Sequence, residues 1–268
     1  MTEADKVFAG SIPALYDRYL GPLLFEPYAR EMAGRLAGFS GDILETAAGT
    51  GIVTRALVQA VAPGAAITAT DLNQPMLDHA ARKLDTPRVT WRQANALGLP
   101  FGDASFDAVV CQFGVMFFPD KTAGFAEALR VLRPGGRFLF SVWDRLEEND
   151  IPATVNEAVT AAFPDNPPSF MVRTPHGHHD TDILRRYLQD AGFGHVEVDT
   201  VTLRARAASP ADPAIGFCQG SPLRHEIEAR DPGRLDAVTD AAAQAVARRF
   251  GPGPIEGRIQ AHIITATA

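Results

Sequence analysis

The sequence predicts a doubly wound α/β fold with a mostly parallel sheet, on three observations. Between residues 40 and 144, short apolar runs of strand length alternate with stretches of helical periodicity. The runs are hydrophobic almost without interruption, as suits strands buried on both faces. A turn of small residues joins the first run directly to a helical pattern. Such alternation means βαβ units, right-handed crossovers and helices on both faces of the sheet. With 268 residues, 46% hydrophobic and 21% charged, the chain suits one soluble domain spanning residues 1–268.

Taken in order, the first forty residues hold two helical stretches, around Ile12–Leu20 and Leu24–Leu36. Strands follow at Ile43–Thr46, Ala66–Asp71, Val89–Ala94, Phe106–Cys111 and Phe138–Val142, separated by helices at Gly51–Val61, Pro75–Leu84 and Thr122–Leu132. The last helix places Phe125, Ala128, Leu129 and Leu132 on one stripe. It stops at Arg133-Pro134-Gly135-Gly136, where Pro and Gly block continuation. Beyond residue 144 the pattern loosens, and Asp144–His179, with several prolines and three histidines, does not read as another βα unit. Thr181–Ala191 is helical and stopped by Gly192, and Val196–Leu203 alternates like a strand. Pro210–Pro254 is mostly helical, with Leu235, Val238, Ala242 and Val246 on one face, and Ile259–Thr267 is the last strand. Seven strands result. The core covers about 40–144, leaving residues 1–39, 145–180 and 207–255 as helical segments to cover its ligand-binding edge and receive an acceptor.

Composition narrows the partners. Twenty-five basic against thirty-two acidic side chains give −7 with no block of like charge, which disfavours a nucleic-acid backbone. No run of eighteen apolar residues exists to span a membrane. The start, MTEADKVFAGS, carries acids and no apolar stretch, so it is not a secretory signal. Two cysteines, Cys111 and Cys218, cannot build a disulfide framework or a four-cysteine zinc site. A cytoplasmic protein is expected.

The sharpest feature is Asp42-Ile-Leu-Glu45-Thr-Ala-Ala48-Gly49-Thr50-Gly51, opening directly into a helix. Gly49 and Gly51 let backbone approach a ligand where a Cβ would collide. Twenty residues after Gly51 the second strand ends in Asp71, placed to accept from two ribose hydroxyls. Together these imply an adenosine-type ligand at the switch point of the sheet. A dinucleotide fold would want G-x-G-x-x-G, but here the third position is Thr54. Glu45 would repel a pyrophosphate and attract the amino group of a methionine moiety, so the electrostatics favour S-adenosylmethionine.

Five blocks then resemble the class I S-adenosylmethionine-dependent methyltransferases, in the broad group of the ubiquinone/menaquinone-biosynthesis enzymes. They are Ile43–Gly51, Thr70–Leu77, Gln93–Phe101, Ser105–Gly114 and Arg130–Gly136, in the order and spacing of that family. The resemblance implies a Rossmann-like fold in which Glu45, Ala47, Gly49 and Gly51 line the methionine end of the cofactor. It puts Asp71 on the ribose, Leu72 against the adenine, Asn95 and Ala96 at the adenine edge, and Gln112 beside the sulfonium. Two positions depart from the pattern: Ala47 stands where the first glycine is usual, and Asn95 where an aspartate is usual. Ala47 demands a turn with room for a methyl, and Asn95 can accept from an adenine amino group through its amide oxygen.

The acceptor side is less explicit. Tyr16, Tyr19, Phe117 and Phe118 offer apolar surface, with core packing as the alternative for each, and His178 or His179 could touch the acceptor or take its proton. The cluster Pro175–Asp180 otherwise reads as a loop entering the Thr181 helix, with Asp180 or Thr181 as its cap, and not as a metal site. Cys111 reads as a small buried strand residue. No catalytic group can be assigned. In-line methyl transfer from a sulfonium to a small, partly apolar molecule, yielding S-adenosylhomocysteine, needs orientation and dryness more than a nucleophile. Two rivals stand beside it: a cofactor-binding regulatory or scaffold protein without catalysis, and an NAD-type oxidoreductase. A homo-oligomer is possible but not indicated.

Overall fold

The computed structural model describes residues 12–268, so the leader expectation for MTEADKVFAGS lies outside the described residues. Its strands are β1 (Asp42–Glu45), β2 (Ala66–Asp71), β3 (Val89–Gln93), β4 (Phe106–Gln112), β5 (Leu132–Trp143), β6 (His195–Ala207) and β7 (Ile255–Thr267). They form one sheet in the order β3-β2-β1-β4-β5-β7-β6. The first five are parallel, with Leu44 of β1 flanked by Thr68 of β2 and Val109 of β4. β7 runs against both neighbours: Ala268 bonds Gly135 and Gly136 while Gln260 bonds Asp144, and on the other side Thr200 meets His262 while Thr202 meets Gln260. The sheet is mixed, as a mostly parallel one allows.

The helices are α1 (Ile12–Leu15), α2 (Glu26–Gly34), α3 (Ile52–Ala60), α4 (Gln74–Lys83), α5 (Lys121–Val131), α6 (Asp150–Ala162), α7 (Phe170–Arg173), α8 (Thr181–Asp190), α9 (Ala211–Gln219), α10 (Leu223–Arg230) and α11 (Leu235–Phe250). Ile43, Leu44, Val109, Val110 and Cys111 are buried on both faces of the sheet, which is why these strands show no polar alternation. Since β1 pairs with β2 on one side and β4 on the other, the chain reverses its winding there. Such a reversal opens a crevice at the carboxyl ends of the strands.

Several boundaries differ from the sequence reading. The two expected N-terminal helices are one continuous run, bridged by a π-helix over Tyr16–Phe25 that carries Pro22 inside it. The wider π turn tolerates a residue without an N–H, where an α-helix would kink or break. β5 begins at Leu132, not Phe138, because Leu132 pairs with Phe106 before an irregularity re-registers Ala108 with Arg137. The loose region after residue 144 contains α6, whose start carries Pro152 in its first turn, a place where proline is compatible with a helix.

The chain forms two compact units. One comprises Tyr28–Val142, His178–Val201 and Ala261–Ala268; the other comprises residues up to Pro27, Trp143–Gly177 and Thr202–Gln260. In the first, Phe125 of α5 packs on Phe138 and Phe140 of β5 at ring separations of 5.6 and 5.2 Å, and Phe193 stacks on Phe138 at 5.9 Å. Phe138 is 1% exposed. Replacing it with Ala should destabilise the protein by about 3–5 kcal/mol, read by urea denaturation. In the second unit, α9 packs closely on the N-terminal helix, where a Cβ on Gly216 would meet Leu20 at 2.7 Å.

Candidate functional site

At the carboxyl end of β1 the chain turns sharply through Thr46–Gly51 into α3. Ala47 (φ 53°), Gly49 (φ 56°) and Gly51 (φ 75°) all lie in the left-handed region. For Gly51 the glycine is required twice over, since a Cβ there would stand 2.9 Å from the Trp91 ring and 3.0 Å from Ala80. Ala47, where the family pattern has glycine, holds its positive φ at a cost of roughly 1–2 kcal/mol. Its methyl has a specific berth: a Cβ on Gly114 would lie 2.5 Å from the Ala47 Cβ, so the glycine on the neighbouring loop makes room for it. Phe113, just before Gly114, is also at positive φ (50°) and donates its N–H to the Ser141 carbonyl at 3.1 Å. Two strained turns thus face each other at the ends of β1 and β4, and strain of this kind collects at functional sites.

Hydrogen bonds hold the β1 turn to β2. Ala48 N–H donates to the Thr70 carbonyl (2.9 Å), Thr70 Oγ1 donates to the Glu45 carbonyl (2.9 Å), and Gly49 N–H donates to Asp71 Oδ2 (2.9 Å). The other Asp71 oxygen accepts from Asn73 N–H at 2.8 Å. Asp71 therefore braces the turn at the crevice; Oδ1 also accepts from the Asn73 side-chain amide at 3.4 Å, while Oδ2 keeps a further lone pair. Burial raises its pKa, opposed by the bonds from Asn73 and Gly49. Beside it Leu72 is 47% exposed, a large apolar side chain presented to solvent at the strand end.

Glu45 is 2% exposed, and its Oε2 accepts from Thr54 Oγ1 at 2.6 Å. Burial pushes its pKa up to about 8, with the Asp71 charge adding to the rise and the Thr54 bond opposing it. The Thr50 hydroxyl, 1% exposed, has no hydrogen-bond partner among the described residues. A buried carboxyl short of a cation and a buried hydroxyl short of an acceptor sit on one turn. These are the complements of an amino acid's ammonium and carboxylate.

The remaining expected residues are placed as follows. Asn95 Oδ1 accepts from Leu97 N–H at 3.0 Å, so the amide oxygen closes its own turn, leaving only its spare lone pair for a ligand. Ala96 is half-buried in the same turn, and Gln112 is half-buried at the end of β4, opposite Ser141. Cys111 is fully buried, its thiol pushed up to about 12. Phe117 is half-buried in a 3₁₀ turn (Val115–Phe117), and Phe118 is buried. Tyr16 stacks on Phe25 (4.7 Å), and Tyr19 lies under the Arg18 guanidinium, lining a cavity of about 370 Å³ with Pro22, Arg206 and Asp212. The histidine cluster divides: buried His176 bonds the Asp144 carbonyl through Nδ1, His178 meets Lys121, and His179 is half-buried. Asp180 caps α8, accepting from Asp182 and Ile183 N–H. Among the described residues no three His, Cys, Asp or Glu side chains cluster as metal ligands.

The methyltransferase-domain family model matches residues 43–136, the stretch holding this turn. The ubiquinone/menaquinone biosynthesis C-methyltransferase of Shewanella piezotolerans is 30% identical over 193 residues, covering 67% of this chain and 76% of the relative. The chain belongs to the class I S-adenosylmethionine-dependent methyltransferases. The demethylmenaquinone methyltransferase of Deinococcus radiodurans is 43% identical over a shorter 109 residues, 40% of this methyltransferase and 45% of that one. A Haemonchus contortus phosphoethanolamine N-methyltransferase solved with S-adenosylhomocysteine shares the fold at TM-score 0.61 and 15% identity, over 95% of this chain and 56% of that one.

Sequence motifs of this methyltransferase also contained supports that carried no ligand signal. Arg130 donates to the Leu99 and Phe101 carbonyls and pairs with Glu127 and Asp103, while Glu127 accepts from Leu99 N–H at 2.7 Å. The loop after β3, with Asn95 and Ala96, is held in place by α5.

Two expectations follow. Asp71→Asn removes the charge and keeps one acceptor, so S-adenosylhomocysteine affinity should fall at least about tenfold in calorimetry. Asp71→Ala should also lower the melting temperature, because the Gly49 and Asn73 amides lose their acceptor. Glu45 gives a pH signature: the folded protein holds its proton more tightly than the unfolded chain. Its stability contribution is full below about pH 4.5 and is lost as pH rises to about 8. Thermal denaturation should show the wild type losing more stability than Glu45→Gln between pH 5 and pH 8; parallel curves would contradict the assignment.

Proposed function

We propose that the turn after β1 binds S-adenosylmethionine and that the methyl group passes to a small, partly apolar acceptor by in-line displacement. The observation that carries this reading is the buried Glu45 carboxyl on a glycine turn beside the orphaned Thr50 hydroxyl. In it, Glu45 takes the ammonium of the methionine moiety, and Thr50 with the backbone around Gly49 and Gly51 takes the carboxylate. Ala47 lines the same end. Asp71 accepts from the ribose hydroxyls, exposed Leu72 covers one adenine face, Asn95 and Ala96 meet its edge, and Gln112 lies toward the sulfonium. An ammonium gains a charge partner when Glu45 ionises beside it, whereas a pyrophosphate would hold Glu45 neutral and gain none, which counts against an NAD-type ligand.

Bound cofactor supplies an electrophilic methyl with its own leaving group. The protein's share is to hold the acceptor about 3–3.5 Å from that methyl on the axis opposite sulfur, and to keep water out. Relatives named for ubiquinone and menaquinone biosynthesis support a quinone-type acceptor. For the acceptor, Phe117 and His179 are candidates in the unit that holds the turn, and Tyr16 and Tyr19 offer aromatic surface in the other unit. The two cysteines are buried free thiols, in keeping with a cytoplasmic enzyme.

Glu45 makes the proposal measurable. In the ligand-free protein its carboxyl is mostly protonated at pH 7, and a ligand ammonium favours the ionised form. Binding of S-adenosylhomocysteine should therefore release protons, and its affinity should rise with pH toward about 8. Calorimetry in buffers of different ionisation enthalpy reads the release, which Glu45→Gln should abolish. Tighter binding of NAD than of S-adenosylhomocysteine would overturn the proposal.

A further inference from the structure

Among the described residues, those proposed for the cofactor leave a buried cation, Lys121, unused. α5 starts at Lys121, directly after the loop that leaves the carboxyl end of β4, on the sheet edge that carries Glu45, Asp71 and Gln112. Lys121 is 9% exposed. Its Nζ donates to the Phe118 carbonyl at 3.2 Å and lies 3.3 Å from His178 Nε2. An ammonium has three donors and no acceptor, so His178 must accept at Nε2 as a neutral imidazole with its proton on Nδ1. Two of the three donors are thereby used. The third has no partner among the described residues, and no carboxylate there lies within ion-pair distance of Nζ.

Nearby charges are committed elsewhere. Asp120 accepts from Ala123 N–H as the α5 cap, Asp180 caps α8, and Glu127 pairs with Arg130. His179 bears on His178 from the same loop, and burial together with Lys121 pushes His178 down to about 4. Burial also pulls Lys121 down to about 8, which leaves it the charged member of the pair at neutral pH. A buried ammonium without a counter-ion is costly. A link between α5 and the 178 loop needs hydrogen bonds but no net charge, so a purely structural role leaves that cost unexplained.

We propose that Lys121, positioned by His178, is the anion site for the acceptor, pairing with the oxygen of an ionised phenol- or enol-type hydroxyl. This rests on the methyltransferase reading of the neighbouring turn. As the hydroxyl ionises its proton goes to solvent, and the third ammonium donor bonds the resulting oxyanion. The anion's electron pair, on oxygen or delocalised onto the adjacent carbon, forms the bond to the methyl carbon. The methyl–sulfur bond breaks with its electrons going to sulfur, and where carbon is the nucleophile its ring proton leaves to solvent afterwards. The acceptor class is thus an ionisable hydroxyl compound rather than an amine, whose cation Lys121 would repel.

The test uses 4-nitrophenol as the probe, because its ionised form absorbs differently from its neutral form. Bound to the wild-type protein its apparent pKa should fall by about one to three units. In Lys121→Met the fall should vanish, and Lys121→Arg should retain it. Lys121→Met should keep S-adenosylhomocysteine affinity within about twofold and melt no lower than the wild type, since it removes a buried charge. Its turnover of phenolic acceptors should drop mainly in kcat and recover as pH approaches the acceptor's own pKa. Equal 4-nitrophenol titrations in wild type and Lys121→Met, absence of Lys121-dependent probe binding, or a lowered melting temperature with unchanged titration would overturn the proposal. Because the titration needs no cofactor, this failure is distinct from a wild type that fails to bind S-adenosylhomocysteine, which would sink the cofactor reading instead.

Discussion

The bond from Gly49 N–H to Asp71 Oδ2 ties the turn after β1 to the end of β2, and much of the site's geometry hangs on it. A left-handed turn of small residues has little side-chain mass to hold it in place. Here the neighbouring strand supplies the hold, through Asp71 and the Thr70 carbonyl. Beneath it, Ala48, Ala69 and Leu77 pack with Val89 and Trp91, and Trp91 fills the space that leaves Gly51 no room for a side chain. The carboxylate proposed for the ribose is therefore also a structural member, so a ligand bound there would meet a group already oriented by two backbone amides. Pre-organisation of this kind lowers the cost of binding.

The fold and the left-handed turn after β1 are legible because they are written in local pattern. Unbroken apolar runs, a small-residue turn and an acid at the second strand end are each set by neighbours in sequence. What escaped the reading depends on partners distant in the chain. Leu132 joins β5 because Phe106 pairs with it, although Pro134 and Gly135 follow immediately. Pro22 passes through a helix because the turn there is π, a matter of backbone register that residue type does not reveal. Asn95 keeps both readings: its amide oxygen closes a local turn, the ordinary habit of that side chain, and the spare lone pair is what the proposal gives to the adenine edge.

Lys121 shows the same limit at the acceptor side. A lysine opening a helix after an Asp-capped turn looks like a solvated surface residue, and nothing in the run Phe117–Lys121 marks it as buried. Its environment is made by His178, 57 residues away. Within the histidine cluster, moreover, spacing was no guide to shared work: His176 serves a backbone carbonyl and His178 a lysine.

The contact between Ala47 and Gly114 bears on how such a chain could have changed over time. The two turns share space for a single methyl, which sits on residue 47 here and would have to leave before one could appear on residue 114. Substitutions at the two positions are therefore ordered: a chain carrying alanine at both would pass through a clash, and even with the methyl at 47 gone a methyl on 114 would stand 2.7 Å from Cys111 Sγ, so that side chain must shift as well. Neither position can be judged neutral without knowing its partner, so a loop transplanted from a relative with glycine at the first site would succeed or fail by what stands at the second.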